Sequence, residues 1–175
     1  MARLDSWWWI TFFIVLQILS LVMLAIHNAE MSSSTSLLDE RVGGWDYETA
    51  IRVFKSLEEK GVLQQYANMY TKGYDFAVPI TGAAMFASLL SKFWPNKNFY
   101  LLGFLLLVLD SLENIFIYNF IQLYIANNFK VIKSLARFGN FVTRMKFLSI
   151  AINIILVIVG AVKTASTHFT KNKRQ

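Results

Sequence analysis

The sequence contains no cysteine, and only two of its 175 residues are histidine. The missing cysteine excludes disulfide bonds, thiolate metal sites and a cysteine nucleophile, and it gives no information about the redox compartment. Two histidines are too few for a histidine-rich metal centre. The sequence also lacks the patterns of a P-loop, a dinucleotide-binding glycine loop, a zinc-protease helix and a nucleophile elbow, so no metal, cofactor or nucleophile is predicted.

Charged residues are scarce as well. They make up 16% of the chain, against 55% hydrophobic and 15% aromatic residues. This composition is too apolar for a soluble domain of this size and predicts a membrane protein. The formal net charge is +6, but the basic residues stand beside apolar segments, where lysine and arginine meet lipid headgroups. Membrane lipids are therefore expected partners, and nucleic acid is not.

Four apolar runs predict four transmembrane helices, at about residues 7–26, 74–93, 99–125 and 147–165. Each is about as long as a helix that crosses a bilayer. The first is interpreted as a transmembrane helix rather than a cleaved signal peptide, because its apolar region is long and no small-residue cleavage site follows. The predicted fold class is all-α, with a four-helix membrane bundle forming one domain over residues 1–175.

The polar segment between the first two spans, residues 27–73, predicts an amphipathic helix at about residues 46–60. Asp46 is its expected N-cap and Gly61 its end. Its apolar residues fall on one face, opposite lysine, arginine and glutamate side chains. The helix could lie on the membrane surface or cap the bundle, and the pattern favours capping.

The predicted spans also fix the sidedness of the chain. Residues 94–98, WPNKN, form a turn short enough to make the second and third spans an antiparallel hairpin. Four spans then place both termini on one side of the membrane. The other side is predicted to hold residues 27–73 and a loop at about residues 127–146. Basic residues occur on both sides, so the positive-inside rule gives no orientation.

Polar residues interrupt the third span, in the stretch VLDSLENIFIYN. A charge in the middle of a membrane helix costs about 2.5 to 3.5 kcal/mol, so Asp110 and Glu113 are expected to face protein. Asn114 lies on the same helix face, and Tyr118 extends the row by one turn. These four side chains are predicted to form one inward polar stripe.

Two more polar residues are predicted to join this stripe from other spans. Asp75 stands in the first turn of the second span and Asn153 in the second turn of the fourth. No lysine or arginine falls within the predicted spans near these acids, so at least one carboxyl is expected to be protonated or to bind a cation. Two interpretations stay open: interhelical hydrogen bonds that fix the packing, or a functional site within the membrane.

Three short segments carry a family resemblance: DYETAIRVFKSLEEKG, YDFAVP and DSLEN. Their order resembles that of small, uncharacterised four-helix integral membrane proteins of bacteria and protists. Those proteins share an Asp-x-x-x-Pro second span and a D-x-x-E-N third span. The resemblance covers about residues 38–165. It implies the same domain boundaries and the same polar residues, and no activity comes with it.

The leading functional hypothesis is a structural or accessory subunit of a larger membrane complex, with other membrane subunits as partners and no enzymatic role. Phenylalanine, isoleucine, asparagine and lysine are plentiful, which is typical of AT-rich protist genomes and by analogy favours the mitochondrial inner membrane. The alternative is a small membrane enzyme or transporter that acts on a lipid or an ion through the acidic residues. A third hypothesis is a lipid-surface module built on the amphipathic helix.

Overall fold

The computed structural model describes residues 6–32, 36–71 and 75–172, and helices make up 84% of the structure. The described residues contain six α-helices and no strand, which confirms the all-α prediction. A short 3-10 turn, Asn98–Tyr100, precedes the fifth helix. The helices are α1 Trp7–Ser32, α2 Tyr47–Glu59, α3 Leu63–Thr71, α4 Ala77–Phe93, α5 Leu101–Ile125 and α6 Phe129–Asn172.

Three segments of the described chain are long and apolar enough to cross a membrane: Trp7–Ala29, Asn98–Ile125 and Phe129–Thr167. The fourth predicted span corresponds to part of α6. The second corresponds to α4, which has 17 residues and is therefore about 25 Å long. Its predicted start, Tyr74, lies outside the described residues. The count of four spans stays a prediction.

Helix α4 lies at the centre of the bundle and packs against α1, α5 and α6. Its small residues, in the stretch 82–88, allow the neighbouring helices to come close. A Cβ atom on Gly103 of α5 would lie 2.7 Å from the Ala83 carbonyl oxygen and 2.9 Å from the Ala87 backbone nitrogen. On the α1 side, the Thr81 hydroxyl donates a hydrogen bond to Gln17 Oε1. These contacts fix α4 between its partners.

The predicted loop over residues 127–146 is wrong, because α6 begins at Phe129 and continues unbroken for 44 residues. The turn from α5 is very short. The Asn127 and Asn128 backbone N–H groups donate to the carbonyl oxygens of Tyr124 and Leu123, at 2.9 and 2.8 Å. Asn127 has a φ of 56°, a left-handed conformation that asparagine tolerates better than most residues. Helices α5 and α6 therefore form a tight antiparallel hairpin.

The first half of α6 is helical because one of its faces packs against the rest of the chain. Its buried residues recur at intervals of three and four, and the lysines and arginines between them are mostly exposed. That spacing is the mark of an amphipathic helix. The charged residues made this half look like a loop, although all of them except Lys146 lie on its outer faces. The buried positions are Ile132, Ala136, Gly139, Val142, Thr143 and Lys146.

Helices α2 and α3 cap the bundle at the end where α5 meets α6. The predicted amphipathic helix is confirmed as α2, and the Asp46 carboxylate accepts a hydrogen bond of 2.8 Å from the Thr49 backbone N–H. Hydrogen bonding to Thr49 lowers the pKa of Asp46. Helix α2 buries Phe54 and Leu57 in a core shared with α5 and α6, which agrees with the capping interpretation.

Helix α3 was not predicted. Its sequence, LQQYANMYT, is too polar to stand out, yet its tyrosines, Met69 and Ala67 pack into the same core.

The segment between α1 and α2, residues 36–46, is here called the connector. It is tied to α6 at two points: the Trp45 backbone N–H donates to Asn140 Oδ1 at 3.1 Å, and Arg144 Nε donates to the Gly43 carbonyl oxygen at 3.1 Å. Gly44 has a φ of 79° and no room for a Cβ atom beside Asn140. The connector is therefore held firmly against the first half of α6.

Candidate functional site

A buried lysine neutralises part of the predicted acidic stripe. Lys146 Nζ contacts Glu113 Oε2 and lies 3.4 Å from Asp110 Oδ1. It also donates to the Asp39 backbone carbonyl oxygen at 3.2 Å. The prediction that the acids of the stripe lack a nearby cation is therefore wrong for Asp110 and Glu113. Sequence analysis placed Lys146 at the end of a loop, whereas the unbroken α6 carries it into the bundle.

The second oxygen of Glu113 links the ion pair to the cap. Glu113 Oε1 accepts a hydrogen bond from the Thr143 hydroxyl, which in turn accepts one of 3.1 Å from the Trp45 indole N–H. All three side chains are buried. A continuous polar network thus joins the connector, α6 and the middle of α5. Because its members are hydrogen-bonded to one another, its burial is compatible with a stable fold.

Asp75 lies in the turn before α4 and, unlike Asp110 and Glu113, is not paired with Lys146. It is 5% exposed, and no basic side chain of the described residues lies within ion-pair distance of it. Its neighbour is the Asn114 amide, which is 1% exposed and faces the Asp75 carboxylate without a well-aligned hydrogen bond. A buried carboxylate without a cation is costly, so a role for Asp75 has to be sought outside its own contacts.

A cavity of about 370 Å³ opens beside these acids, between α1, the connector, the start of α4 and the middle parts of α5 and α6. Four carboxylates and one ammonium line its polar side, and four apolar side chains line the other. The polar residues are Asn28, Asp39, Glu40, Asp75, Asp110 and Lys146, and the apolar ones are Leu21, Leu24, Ala25 and Val78. This space is here called the acidic cavity.

The two carboxylates from the connector have partners within the chain. Asp39 Oδ1 accepts a hydrogen bond of 2.9 Å from the Tyr66 hydroxyl, and Glu40 accepts bonds from Asn28 Nδ2 at 3.3 Å and from the Leu37 backbone N–H at 3.1 Å. Burial, together with the Asp39 charge, raises the pKa of Tyr66 well above its usual value. Tyr66 therefore stays a neutral donor. Asp110 shares Lys146, which leaves Asp75 as the least compensated of the four lining carboxylates.

Aromatic and lysine side chains at the opposite end of the bundle indicate the depth of the acidic cavity. Trp7 packs edge-on against Phe93, with ring centroids 6.4 Å apart, and Lys92 Nζ lies 5.3 Å from the Trp7 ring centroid. Such pairs are typical of a membrane interface. Ala25 is 18 residues further along α1, a distance of about 27 Å. The hydrocarbon core is about 30 Å thick, so an α1 that crosses the membrane would bring this end of the acidic cavity to the other boundary.

Six site residues were predicted from the sequence, and the structure brings four of them together. Asp110 and Glu113 share Lys146, and Asn114 faces Asp75 beside them. Tyr118 is half-buried and packs against the hydrophobic core under the cap. It therefore stands at the edge of the polar group.

Asn153 is not part of this group. Its side-chain amide donates to the carbonyl oxygens of Leu102, at 3.3 Å, and Ser149, at 2.8 Å. Leu102 precedes Asp110 by eight residues, or about 12 Å along α5. Asn153 therefore contributes an interhelical hydrogen bond at a deeper level of the bundle, which matches the packing interpretation of polar residues in membrane helices.

Six polar residues of the site were missed: Asn28, Asp39, Glu40 and Lys146, which line the cavity, and Trp45 and Thr143 of the polar network. Lys146 and Thr143 could have been found, because they continue the three-and-four spacing of small and apolar residues that begins at Ile132. Asp39 and Glu40 give no such signal, since the connector has neither helical nor strand periodicity. In the described ranges 6–32, 36–71 and 75–172, no three acidic or histidine side chains converge closely enough to hold a metal ion.

The long apolar helices define the class of the protein, an integral membrane protein with several candidate spans. Comparison of the chain with protein-family models, with curated proteins and with solved structures found no significant match. The resemblance to small four-helix membrane proteins thus stays a prediction from three short segments.

Proposed function

We propose that this chain is a four-span membrane protein that binds a membrane-borne ligand in the acidic cavity. The observation that carries this proposal is the cavity itself. Its volume of about 370 Å³ falls within the range of small-molecule sites, about 300 to 1,000 Å³. Such sites combine apolar walls with a few convergent polar groups, and the acidic cavity has both. As a ligand site it could serve an enzyme or a transporter.

The position of α4 supports four spans. Helix α4 is about 25 Å long and packs against α1 on one side and α5 and α6 on the other. A helix slightly shorter than the hydrocarbon core is accommodated by local thinning of the bilayer. With α4 crossing, the chain passes the membrane four times, and both termini lie on the side opposite the cap.

The polar network alone does not explain the acidic cavity. The ion pair of Lys146 with Glu113 and its link to Trp45 account for the packing of α5 against α6. Asp75 forms no such pair with any residue that the structure describes, and a buried charge is normally retained in a membrane protein for a function. A role in helix packing therefore explains Glu113, whereas a role in ligand binding explains Asp75.

A second candidate function is that of an accessory subunit in a larger membrane complex. For this function the proposed compartment is the mitochondrial inner membrane. One observation favours it: α1 packs along α4 and leaves large apolar side chains exposed on its other faces, among them Trp8 at 76% and Met23 at 68% exposure. Lipid or neighbouring subunits would cover these side chains.

Filling the acidic cavity should abolish ligand binding without unfolding the protein. Ala25→Phe adds a ring to the cavity wall, whereas Ala29→Phe, one turn further on α1, does not line the cavity and serves as the matched control. We expect small-molecule mass spectrometry of the gently purified protein to find a co-purified ligand with wild type and with Ala29→Phe, but not with Ala25→Phe. Equal ligand content in the Ala25 and Ala29 variants, or none in wild type, would contradict the cavity as a site.

A further inference from the structure

The charges around the acidic cavity indicate what kind of group it accepts. Among the described residues, four carboxylates line it against one ammonium, that of Lys146, and that ammonium is already engaged with Glu113 and Asp110. A negatively charged headgroup would add repulsion to this set. A positively charged group beside Asp75 would supply the close ion pair that no described residue provides, because a buried carboxylate is stabilised by an opposite charge within about 4 to 6 Å.

The shape of the cavity distinguishes between kinds of cation. A bare metal ion needs several oxygen ligands at close range, whereas no three acidic side chains of the described part of the chain converge in that way. About 370 Å³ is also far more space than one ion fills, and the walls at Leu21, Leu24 and Val78 are apolar. An ammonium group attached to a hydrocarbon chain would use both sides of such a space.

The apolar wall continues onto the membrane-facing surface. Leu21 lines the acidic cavity and is 46% exposed, and its neighbours Ile18 and Val22 on α1 are 55% and 50% exposed. Because the cavity lies at a membrane boundary, a lipid headgroup can reach it while the acyl chain stays against α1. A charged residue at such a depth normally faces a polar partner or a water-filled space.

We propose that the acidic cavity binds an amine-bearing amphiphile, with its ammonium group on Asp75 and its hydrocarbon chain along Leu21 and Leu24 of α1. This inference rests on the proposed function and specifies its ligand class. Asp39 and Asp110 surround the ammonium at longer range. Asp75 is then the residue that selects the charge of the headgroup, and the α1 wall is what favours an amphiphile over a free amine.

The test uses the purified full-length protein and measures its unfolding temperature against four probes: dodecyltrimethylammonium, dodecanol, dodecyl phosphate and tetramethylammonium. The inference predicts saturable stabilisation by the first probe alone. Asp75→Asn should weaken the apparent affinity for it about 10- to 100-fold, since charge-assisted contacts contribute about 1.5 to 3 kcal/mol. The same substitution should not lower the unfolding temperature without probe, because it removes an uncompensated buried charge. Gln64→Glu, at an exposed position of α3, adds a carboxylate outside the cavity and should change neither value.

Each other outcome is decisive. Stabilisation by dodecanol or dodecyl phosphate that Ala25→Phe abolishes would overturn the ammonium assignment and leave the cavity as a ligand site. The ligand class is wrong if no probe stabilises the protein and if the protein, reconstituted in nanodiscs, does not bind phosphatidylethanolamine in preference to phosphatidylglycerol. In that case, a ligand that co-purifies with the wild-type protein would still support the acidic cavity as a site. Equal stabilisation by tetramethylammonium would assign the site to free amines. A probe-free loss of stability in Asp75→Asn would show that Asp75 is structural.

Discussion

Replacing Lys146 with methionine should destabilise the protein by about 3 to 5 kcal/mol, the usual cost of removing one partner of a buried ion pair. Methionine keeps most of the length of the lysine side chain, so the loss reports the missing charge more than a missing volume. Glu113, at 1% exposure, and Asp110 would be left in the bundle without their cation. Reversible unfolding in mixed micelles measures the free energy of unfolding directly.

Two further variants show whether the loss comes from the ion pair. Lys130→Met changes an exposed lysine on the same helix and should alter the free energy of unfolding by no more than about 0.5 kcal/mol. Adding Glu113→Gln to Lys146→Met should restore part of the stability, because the most deeply buried orphan charge is then neutral. A Lys146→Met protein as stable as wild type would show that the lysine does not compensate these acids.

Replacing Trp45 with alanine should cost about 3 to 5 kcal/mol, as large aromatic-to-alanine changes in cores do. Trp45 is 3% exposed and packs edge-on against Phe120, with ring centroids 5.5 Å apart. Its indole N–H also donates to Thr143. Its loss should therefore loosen the connector from α6, and limited proteolysis at the connector should accelerate together with the drop in the free energy of unfolding.

Trp45→Phe separates the two contributions of this side chain. Phenylalanine keeps an aromatic ring against Phe120 but cannot donate to Thr143, so the cost should be clearly smaller than that of alanine. Trp8→Ala is the control, because Trp8 is 76% exposed and its loss should leave the connector resistant to protease. If Trp45→Ala leaves proteolysis of the connector unchanged, Trp45 is not what holds it on α6.

The all-α class, the long apolar helices α1 and α5, the apolar second half of α6 and the amphipathic helix α2 could be predicted from the sequence. Each of them has a characteristic composition or residue spacing within its own segment. Long apolar runs gave α1 and α5, and Asp46 with Gly61 marked both ends of α2. The prediction failed over residues 129–146, where lysines and arginines on the outer faces obscured a helix stabilised by tertiary packing. It also missed α3, whose polar sequence becomes helical in contact with the core of the cap.

The candidate site could be predicted only in part for the same reason. The cost of a charge in a membrane helix identified Asp110 and Glu113, and their face on α5 identified Asn114. Their cation, Lys146, was missed because the helical spacing that begins at Ile132 is partly hidden by the lysines and arginines between the buried positions. Hydrogen bonds to other residues hold the connector residues Asp39 and Glu40 at the acidic cavity. The connector has no periodic sequence pattern from which these contacts could be predicted.

The four-span topology requires both α1 and α4 to cross the membrane, and it puts the connector and the acidic cavity on the cap side. The chain has no cysteine, so Val42→Cys in the connector and Asn96→Cys in the turn after α4 each give a single label site. Both positions are exposed. In sealed membrane vesicles of one orientation, a membrane-impermeant maleimide should label one of the two variants directly and the other only after the membrane is opened. Direct labelling of both, or protection of both, would contradict four spans and the location of the acidic cavity.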